Sequence, residues 1–113
     1  MKLWVDDVRQ PPDKTYIWSR SVDAAKASIE YSEYLAREFD LAIYEVHLID
    51  IDHDAGIYAS EGGDYVKLLD WLEETGRNYP IRIHSMNPVG VENMRRIIKR
   101  NGWREVQNEQ GIY

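Results

Sequence analysis

The sequence predicts a doubly wound α/β domain in which a mainly parallel, five-stranded sheet is covered by helices on both faces. Three observations support this fold class. Short apolar segments with strand character alternate with longer segments whose apolar residues recur at helical spacing. The chain has 113 residues, which suits one compact domain, so residues 1–113 are expected to form a single unit. Its hydrophobic content of 43% and charged content of 30% are typical of a globular protein and not of a disordered one.

Five short segments are predicted to be strands because each is apolar or alternating and ends at polar or turn-forming residues. These segments are Lys2–Val5, Tyr16–Trp18, Tyr44–Ile51, Ile81–His84 and Trp103–Val106. Strands that alternate with helices form parallel sheets, and right-handed crossovers then favour a three-layer sandwich of flavodoxin-like strand order. Ligands bind such sheets beyond the carboxyl ends of the strands.

Three helices are predicted between the strands, each with a polar residue at its start. The helices are expected over Val22–Phe39, from Asp64 to about Gly76, and from Pro88 to about Arg100. Ser21, Asp64 and Asn87 are predicted to cap their N-termini, since side chains of these types accept hydrogen bonds from the first free N–H groups. Asn108–Tyr113 is expected to be a frayed tail.

The overall charge and the absence of some residue types exclude several functions. The net charge is −6, which argues against duplex DNA as a partner because such affinity comes from Lys and Arg neutralising phosphates. The chain has no cysteine, so disulfides, thiolate metal sites and cysteine nucleophiles are excluded. Its apolar runs are too short to span a membrane, and a strand-like segment at the start leaves no room for a signal peptide. A cytoplasmic protein is the default expectation.

Carboxylates follow two of the predicted strands. Asp6 and Asp7 come after the first strand, and Asp52 comes after the central one. The carboxyl ends of neighbouring parallel strands meet at one edge, so the three side chains are expected to converge there. Their mutual repulsion favours Mg²⁺ or another divalent cation as a ligand. In the alternative interpretation, these acids cap loops and helix N-termini.

A second predicted site lies where the fourth strand leads into the third helix. Pro88 at the first helical position would direct the N–H groups of Val89, Gly90 and Val91 toward one point, where an anion could bind. Gly90 permits close approach, and the Ser85 hydroxyl could add a contact. The alternative is an ordinary helix start that is capped by Asn87.

His53 and His84 follow two strands that should be neighbours, so their imidazoles could face a common ligand. With pKa values near ~6.5, one neutral and one protonated histidine can serve as base and acid on a phosphodiester. Asp52 or Asp54 could hold the required tautomer, and Arg9 could reach over the same rim to a phosphate. The alternative is two surface histidines that are bonded to nearby carboxylates.

Three segments of the chain form a recognisable set: Val5–Pro12 (VDDVRQPP), Ile51–Gly56 (IDHDAG) and Ile83–Met94 (IHSMNPVGVENM). They are similar, in the same order, to the LDDxRxPP, LDHDLG and HSxNPxGxxNM patterns of the cyclic-phosphate processing receiver domain family, a divergent branch of receiver domains. The resemblance covers most of the chain, from the first strand to about Asn101.

This resemblance implies a receiver-like fold, with Asp6 and Asp7 as the acidic pair and Asp52 at the position that accepts phosphate in true receivers. It also implies a link to systems that handle cyclic phosphates, such as those at RNA ends. Two positions depart from the patterns. The last strand is followed by Gln107–Asn108 and not by the lysine of signalling receivers, so two-component signalling is not expected. The leucine of the family's second motif is Ala55 here.

The leading functional hypothesis is a receiver-like domain that binds a cyclic phosphate on a nucleotide or an RNA end, with Asp6, Asp7 and Asp52 holding a divalent cation. Enzymatic activity is left open; a metal-dependent cyclic phosphodiesterase would use Asp52, His53 and His84. One alternative is a non-catalytic receiver that acts as an interaction module, as a homodimer or with a partner protein. Another is a protein that sequesters a cyclic nucleotide without turning it over.

Overall fold

Four short parallel strands form one sheet in the computed structural model, which describes residues 1–107. The strands are β1 (Lys2–Val5), β2 (Tyr16–Ser19), β3 (Leu48–Ile51) and β4 (Ile81–Ile83). Their order is β2-β1-β3-β4, and every neighbouring pair is parallel. The predicted flavodoxin-like order is therefore confirmed for these four strands. The predicted frayed tail lies outside the described residues.

The prediction of a fifth strand is wrong for the described residues. The segment after the third helix makes a single parallel bridge, between Ile81 and Glu105. Two hydrogen bonds form it, from the Ile81 N–H to the Arg104 carbonyl and from the Val106 N–H to the Ile81 carbonyl. The strand β4 has only three residues, and the last segment pairs with the first of them alone.

The third predicted strand begins four residues later than its pattern indicates. Residues Ala42–Tyr44 form a turn of 3₁₀ helix, and β3 begins at Leu48. Lys2, the first residue of β1, pairs with Leu48, so the residues before Leu48 have little of β1 left to pair with. They contact the N-terminus through a hydrogen bond from the His47 N–H to the Met1 carbonyl and through bonds from the Met1 amino group to the Ile43 and Glu45 carbonyls.

The helices are α1 (Val22–Phe39), α2 (Val66–Glu74) and α3 (Pro88–Asn101). Two of the predicted caps are confirmed: the Ser21 hydroxyl accepts from the Ala24 N–H at 3.0 Å, and the Asn87 carbonyl oxygen Oδ1 accepts from the Gly90 N–H at 3.1 Å. The third is wrong. The Asp64 carboxylate accepts from the Ala55 N–H at 3.0 Å and so braces the preceding loop instead of capping α2.

All three helices pack against the same face of the sheet. Their buried residues share one core with alternate strand residues, namely Leu3, Val5, Ile49, Ile51 and Ile81. Trp4 and Leu48 alternate with these residues, and they are buried but lie outside that core. In the described chain the domain therefore has two layers, and the prediction of a three-layer sandwich is wrong.

The connection from β1 to β2 explains this one-sided packing. It consists of residues 6–15 and contains no helix. The helical crossovers leave β2, β3 and β4, and all three run in the same direction across the sheet. Because such crossovers are right-handed, they place their helices on one face.

The opposite face of the sheet is aromatic and charged. Trp4 packs edge-on against Tyr16 with ring centroids 5.7 Å apart, and the Lys2 ammonium lies 4.4 Å from the Tyr16 ring. Asp50 is fully buried there and lies 3.4 Å from an Arg82 guanidinium nitrogen. Among the described helices, none has the length and apolarity that a membrane span requires.

Candidate metal and phosphate site

Three potential metal ligands meet at the carboxyl edge of the sheet. Asp6 follows β1, Asp52 follows β3 and His84 follows β4, and these strands are adjacent. One ligand atom from each side chain lies within 4.8 Å of the others. The sequence prediction that Asp6 and Asp52 converge here agrees with this geometry, whereas His84 was predicted as an acid–base group and not as a member of this cluster.

Asp6 is held by its own loop and lies beside His84. Its side chain is fully buried, and Oδ1 accepts hydrogen bonds from the backbone N–H groups of Val8 at 3.0 Å and Arg9 at 2.8 Å. This turn is typical of an aspartate at the start of a loop. The other oxygen, Oδ2, lies 2.9 Å from Nε2 of His84. The local sequence therefore orients Asp6 toward the cluster.

Asp52 is half-buried at the centre of the edge. Its Oδ1 accepts a hydrogen bond from the His53 N–H at 2.7 Å, and the Ser85 hydroxyl also bonds to this carboxylate. Burial raises the pKa of Asp52, and the nearby charge of Asp6 raises it further, although the hydrogen bond from His53 opposes the shift. A cation bound beside Asp52 would stabilise its charged form and so offset this cost of ionisation.

His84 is fully buried and is fixed on three sides. Its Nδ1 lies 2.7 Å from Oδ1 of Asp50, and its Nε2 faces Asp6. The ring stacks on Trp4, with centroids 3.8 Å apart and an interplanar angle of 3°. Sequence analysis missed both Asp50 and Trp4. The signal that could have found them is the period of two in a strand, which places Asp50 on the same face as His84 and Trp4.

Asp7 does not join the cluster of potential ligands in the described structure. It is directed instead toward Gly56, where an added Cβ atom would collide with the Asp7 carboxylate. Gly56 has φ = 57°, a conformation that favours glycine in any case. The chain bends at Asp7, just after β1, so the two adjacent carboxylates have different surroundings. The structure thus pairs Asp7 with the loop after β3.

The start of α3 is capped from within. Asn87 Oδ1 takes the Gly90 N–H, and the Ser85 hydroxyl accepts from the Asn87 N–H at 3.1 Å. The Val91 N–H bonds to the Asn87 carbonyl as part of the helix. The His53 ring lies so close to Gly90 that a Cβ there would overlap it. Of the three N–H groups predicted to bind an anion, those of Gly90 and Val91 are therefore engaged at the helix start.

The two histidines have different partners. His53 Nδ1 lies 2.8 Å from Oδ1 of Asp54 and 3.4 Å from the Asn87 amide nitrogen, and its side chain is 16% exposed. His84 is completely buried between Asp6 and Asp50. Of these two rings, that of His53 is accessible to solvent and that of His84 is not, and their described contacts share no common group.

Arg9 bends back over the cluster. Its Nη1 donates to the His84 carbonyl at 3.4 Å, and its Nε lies 3.9 Å from Oδ2 of Asp6. The Arg9 carbonyl accepts a hydrogen bond from the Trp4 indole at 2.7 Å, which fixes the backbone at this point. The side chain remains 44% exposed. It thus places a positive charge between the buried acids and solvent.

The chemistry of the three donors fits a divalent cation. Asp6 and Asp52 supply carboxylate oxygens, which all divalent cations accept, and His84 supplies an imidazole nitrogen. The Nδ1 of His84 bonds to a carboxylate, as the second nitrogen of a metal-binding histidine usually does. The described cluster therefore has the donor types and the supporting contact that a metal site requires.

Comparison with known proteins identifies the family of the chain. No curated protein and no solved structure gave a significant match. The family profile of the cyclic-phosphate processing receiver domain matches residues 1–100, which include all four strands and nearly all of α3. The resemblance that the three motifs suggested is thereby confirmed. The chain belongs to the cyclic-phosphate processing receiver domain family.

Proposed function

We propose that this chain binds a cyclic phosphate, carried by a nucleotide or by an RNA end, at the carboxyl edge of its sheet with a divalent cation. The observation that carries the proposal is the cluster of Asp6, Asp52 and His84, whose ligand atoms lie within 4.8 Å of one another in a member of this family. A cation held by these residues would offset the negative charge of the phosphate.

Arg9 and the start of α3 provide the groups that would hold the phosphate. The Arg9 guanidinium is partly exposed beside Asp6 and can bind an anion through charge-assisted hydrogen bonds. Within the first turn of α3, the Gly90 and Val91 N–H groups are engaged, so Val89 supplies the N–H that an anion would use. The Ser85 hydroxyl bonds to both Asp52 and Asn87, so it links a potential metal ligand to the start of α3.

If the chain hydrolyses the cyclic phosphate that it binds, His53 would be the acid–base group. Its ring is partly exposed, and the Asp54 carboxylate 2.8 Å from Nδ1 would hold one tautomer and leave Nε2 to exchange a proton. His84 is completely buried between two carboxylates, which suits a ligand better than a group that must reach a substrate. The proposal therefore separates the two histidines that the sequence analysis had paired.

Phosphorus NMR of a 2′,3′-cyclic nucleotide, incubated with the protein with and without MgCl₂, tests the proposal. A new monoester resonance that requires the cation would identify a hydrolase. Line broadening of the cyclic phosphate without product would identify a binding protein. Both effects should be lost in Asp52→Asn and retained in Asp70→Asn, a matched change on the solvent side of α2, where the Asp70 side chain is 39% exposed. A spectrum that the protein leaves unchanged both with and without MgCl₂ would refute the proposal.

An unchanged spectrum would favour the alternative function, a non-catalytic module that binds another protein. One structural observation also supports this alternative. Large apolar side chains are exposed along α1 and the segment that follows it, and they include Tyr31, Tyr34, Phe39, Leu41 and Ile43. Exposed apolar groups of this size are common at protein interfaces. They lie on the chain between β2 and β3, so this surface and the metal cluster can be tested by separate substitutions.

A further inference from the structure

Asp50 lies in the interior of β3, on the sheet face without helices, and is fully buried. A buried carboxylate is costly unless other groups bond to it. Its Oδ1 makes the shortest of its described contacts, at 2.7 Å to Nδ1 of His84. Its Oδ2 lies 3.4 Å from both Arg82 Nη1 and the Tyr16 hydroxyl. The shortest contact of Asp50 is therefore directed at a potential metal ligand.

The His84 ring has no room to choose another orientation. Trp4 covers one face at a centroid distance of 3.8 Å, and both ring nitrogens face carboxylate oxygens. Nε2 is the nitrogen on the side of Asp6, because it lies 2.9 Å from Oδ2 of that residue. When a cation binds between Nε2 and the Asp6 carboxylate, a proton on Nδ1, donated to Asp50, leaves the Nε2 lone pair to bind that cation.

We propose that Asp50 is a positioning residue for the metal site: it accepts the Nδ1–H of His84 and holds Nε2 toward the carboxylates of Asp6 and Asp52. This inference rests on the proposed function in one respect, the presence of a cation at that cluster. It goes beyond the three ligands because Asp50 belongs to none of the three motifs that characterise the family's sequence pattern.

This role makes Asp50 a determinant of metal preference. Imidazole nitrogen is a good ligand for Zn²⁺, whereas Mg²⁺ strongly prefers oxygen. A carboxylate that bonds to the second nitrogen of the ring raises its basicity, and loss of such a partner typically weakens metal binding about 10–100-fold. Loss of Asp50 should therefore weaken binding of Zn²⁺ much more than binding of Mg²⁺, which depends on the oxygen ligands.

Isothermal titration calorimetry with ZnCl₂ in a competing chelator, and separately with MgCl₂, tests this inference on the Asp50→Asn variant. We expect Zn²⁺ affinity to fall about 10–100-fold and Mg²⁺ affinity to fall less than about 3-fold. The matched control is Arg82→Gln, which removes the ion pair to Asp50 Oδ2 and keeps the bond to His84. In this control both affinities should stay within about 3-fold of the parent protein. Unchanged Zn²⁺ affinity in Asp50→Asn, or an equal fall for both metals, would overturn the proposal.

A measurement on the unmodified protein keeps the inference testable even if Asp50→Asn does not fold. In the Zn²⁺-loaded protein with ¹⁵N-labelled histidine, the His84 signals should show a protonated Nδ1 and a metal-bound Nε2. The reverse assignment would overturn the role of Asp50. Binding of neither metal to the unmodified protein would overturn the metal site and this inference together, whereas metal binding with the reverse assignment would leave the proposed function intact.

Discussion

Asp52 carries a carboxylate where its charge is disfavoured. Burial is the main cause of the raised pKa of this group, and the charge of Asp6 adds to it. The folded state thus binds the Asp52 proton more strongly than the unfolded state, whose pKa is near the ordinary value of 3.8. Stability from this group falls as pH rises from that value through the folded pKa, and above it the full cost of the charge is present.

The variant Asp52→Asn should therefore be more stable than the parent protein at pH 7 when metal is removed with EDTA. The asparagine oxygen can still accept the His53 N–H, so the change removes charge and keeps shape. Thermal unfolding followed by circular dichroism measures the effect, which should disappear below about pH 3.8, where the parent carboxyl is also protonated. A lower midpoint for Asp52→Asn at pH 7 would contradict this account, and Asp70→Asn supplies the control for a surface charge.

At the scale of elements, one ion pair joins α1 to the segment between α2 and β4. Glu33 accepts three hydrogen bonds from the Arg77 guanidinium, at 2.8 to 3.2 Å, and one from the Tyr79 hydroxyl. The Arg77 bonds are the main cause that lowers the pKa of Glu33. The Arg77 guanidinium also lies over the Trp71 ring, 4.3 Å from its centroid. The network thus holds α1 against the segment that leads from α2 to β4.

Glu33→Gln should lower the free energy of unfolding by about 1 kcal/mol at pH 7, since the pair is bidentate but partly screened by solvent. A lowered pKa stabilises the fold above the unfolded value of 4.5 and loses this contribution as pH falls through the folded value. Urea unfolding at pH 7 and at pH 3 measures both effects. Glu38→Gln, which removes an exposed pair with Arg37 on the same helix, should change stability by less than about 0.5 kcal/mol. Equal losses in the two variants would show that the Glu33 network has no special weight.

At the scale of the whole molecule, metal binding and folding should be coupled. The three potential ligands come from loops after three different strands, and they are brought together only when the sheet has formed. A cation that binds only the folded state stabilises it by about 2.7 kcal/mol at 100 times its dissociation constant. In a thermal scan, MgCl₂ at that excess should raise the unfolding midpoint of the parent protein and of Asp70→Asn. A rise of the same size in Asp52→Asn would show that the cation binds elsewhere.

Particular residues show how far sequence patterns can predict this structure. Ser21 and Asn87 were predicted as helix caps and are caps, because capping depends on residues within one turn. Asp64 was also predicted as a cap, but its carboxylate instead accepts the Ala55 N–H. That contact depends on how the loop between these two residues, which are nine positions apart, folds back to the start of α2. Likewise, β3 begins only where β1 is present to pair with it, which the pattern of Tyr44–Ile51 does not reveal.

The sequence by itself determined the α/β class, the presence and order of the three helices, the strand order through the handedness of the crossovers, and the edge of the sheet where Asp6 and Asp52 meet. These features follow from local spacing and from the rule that parallel strands present their carboxyl ends together. Only the tertiary structure decided that the helices share one face, that Asp7 turns away, and that His84 lies between Asp6 and Asp50 on Trp4. The physical reason is that burial, stacking and side-chain pairing join residues that are distant in sequence. A local sequence pattern therefore does not specify which partner each residue will contact.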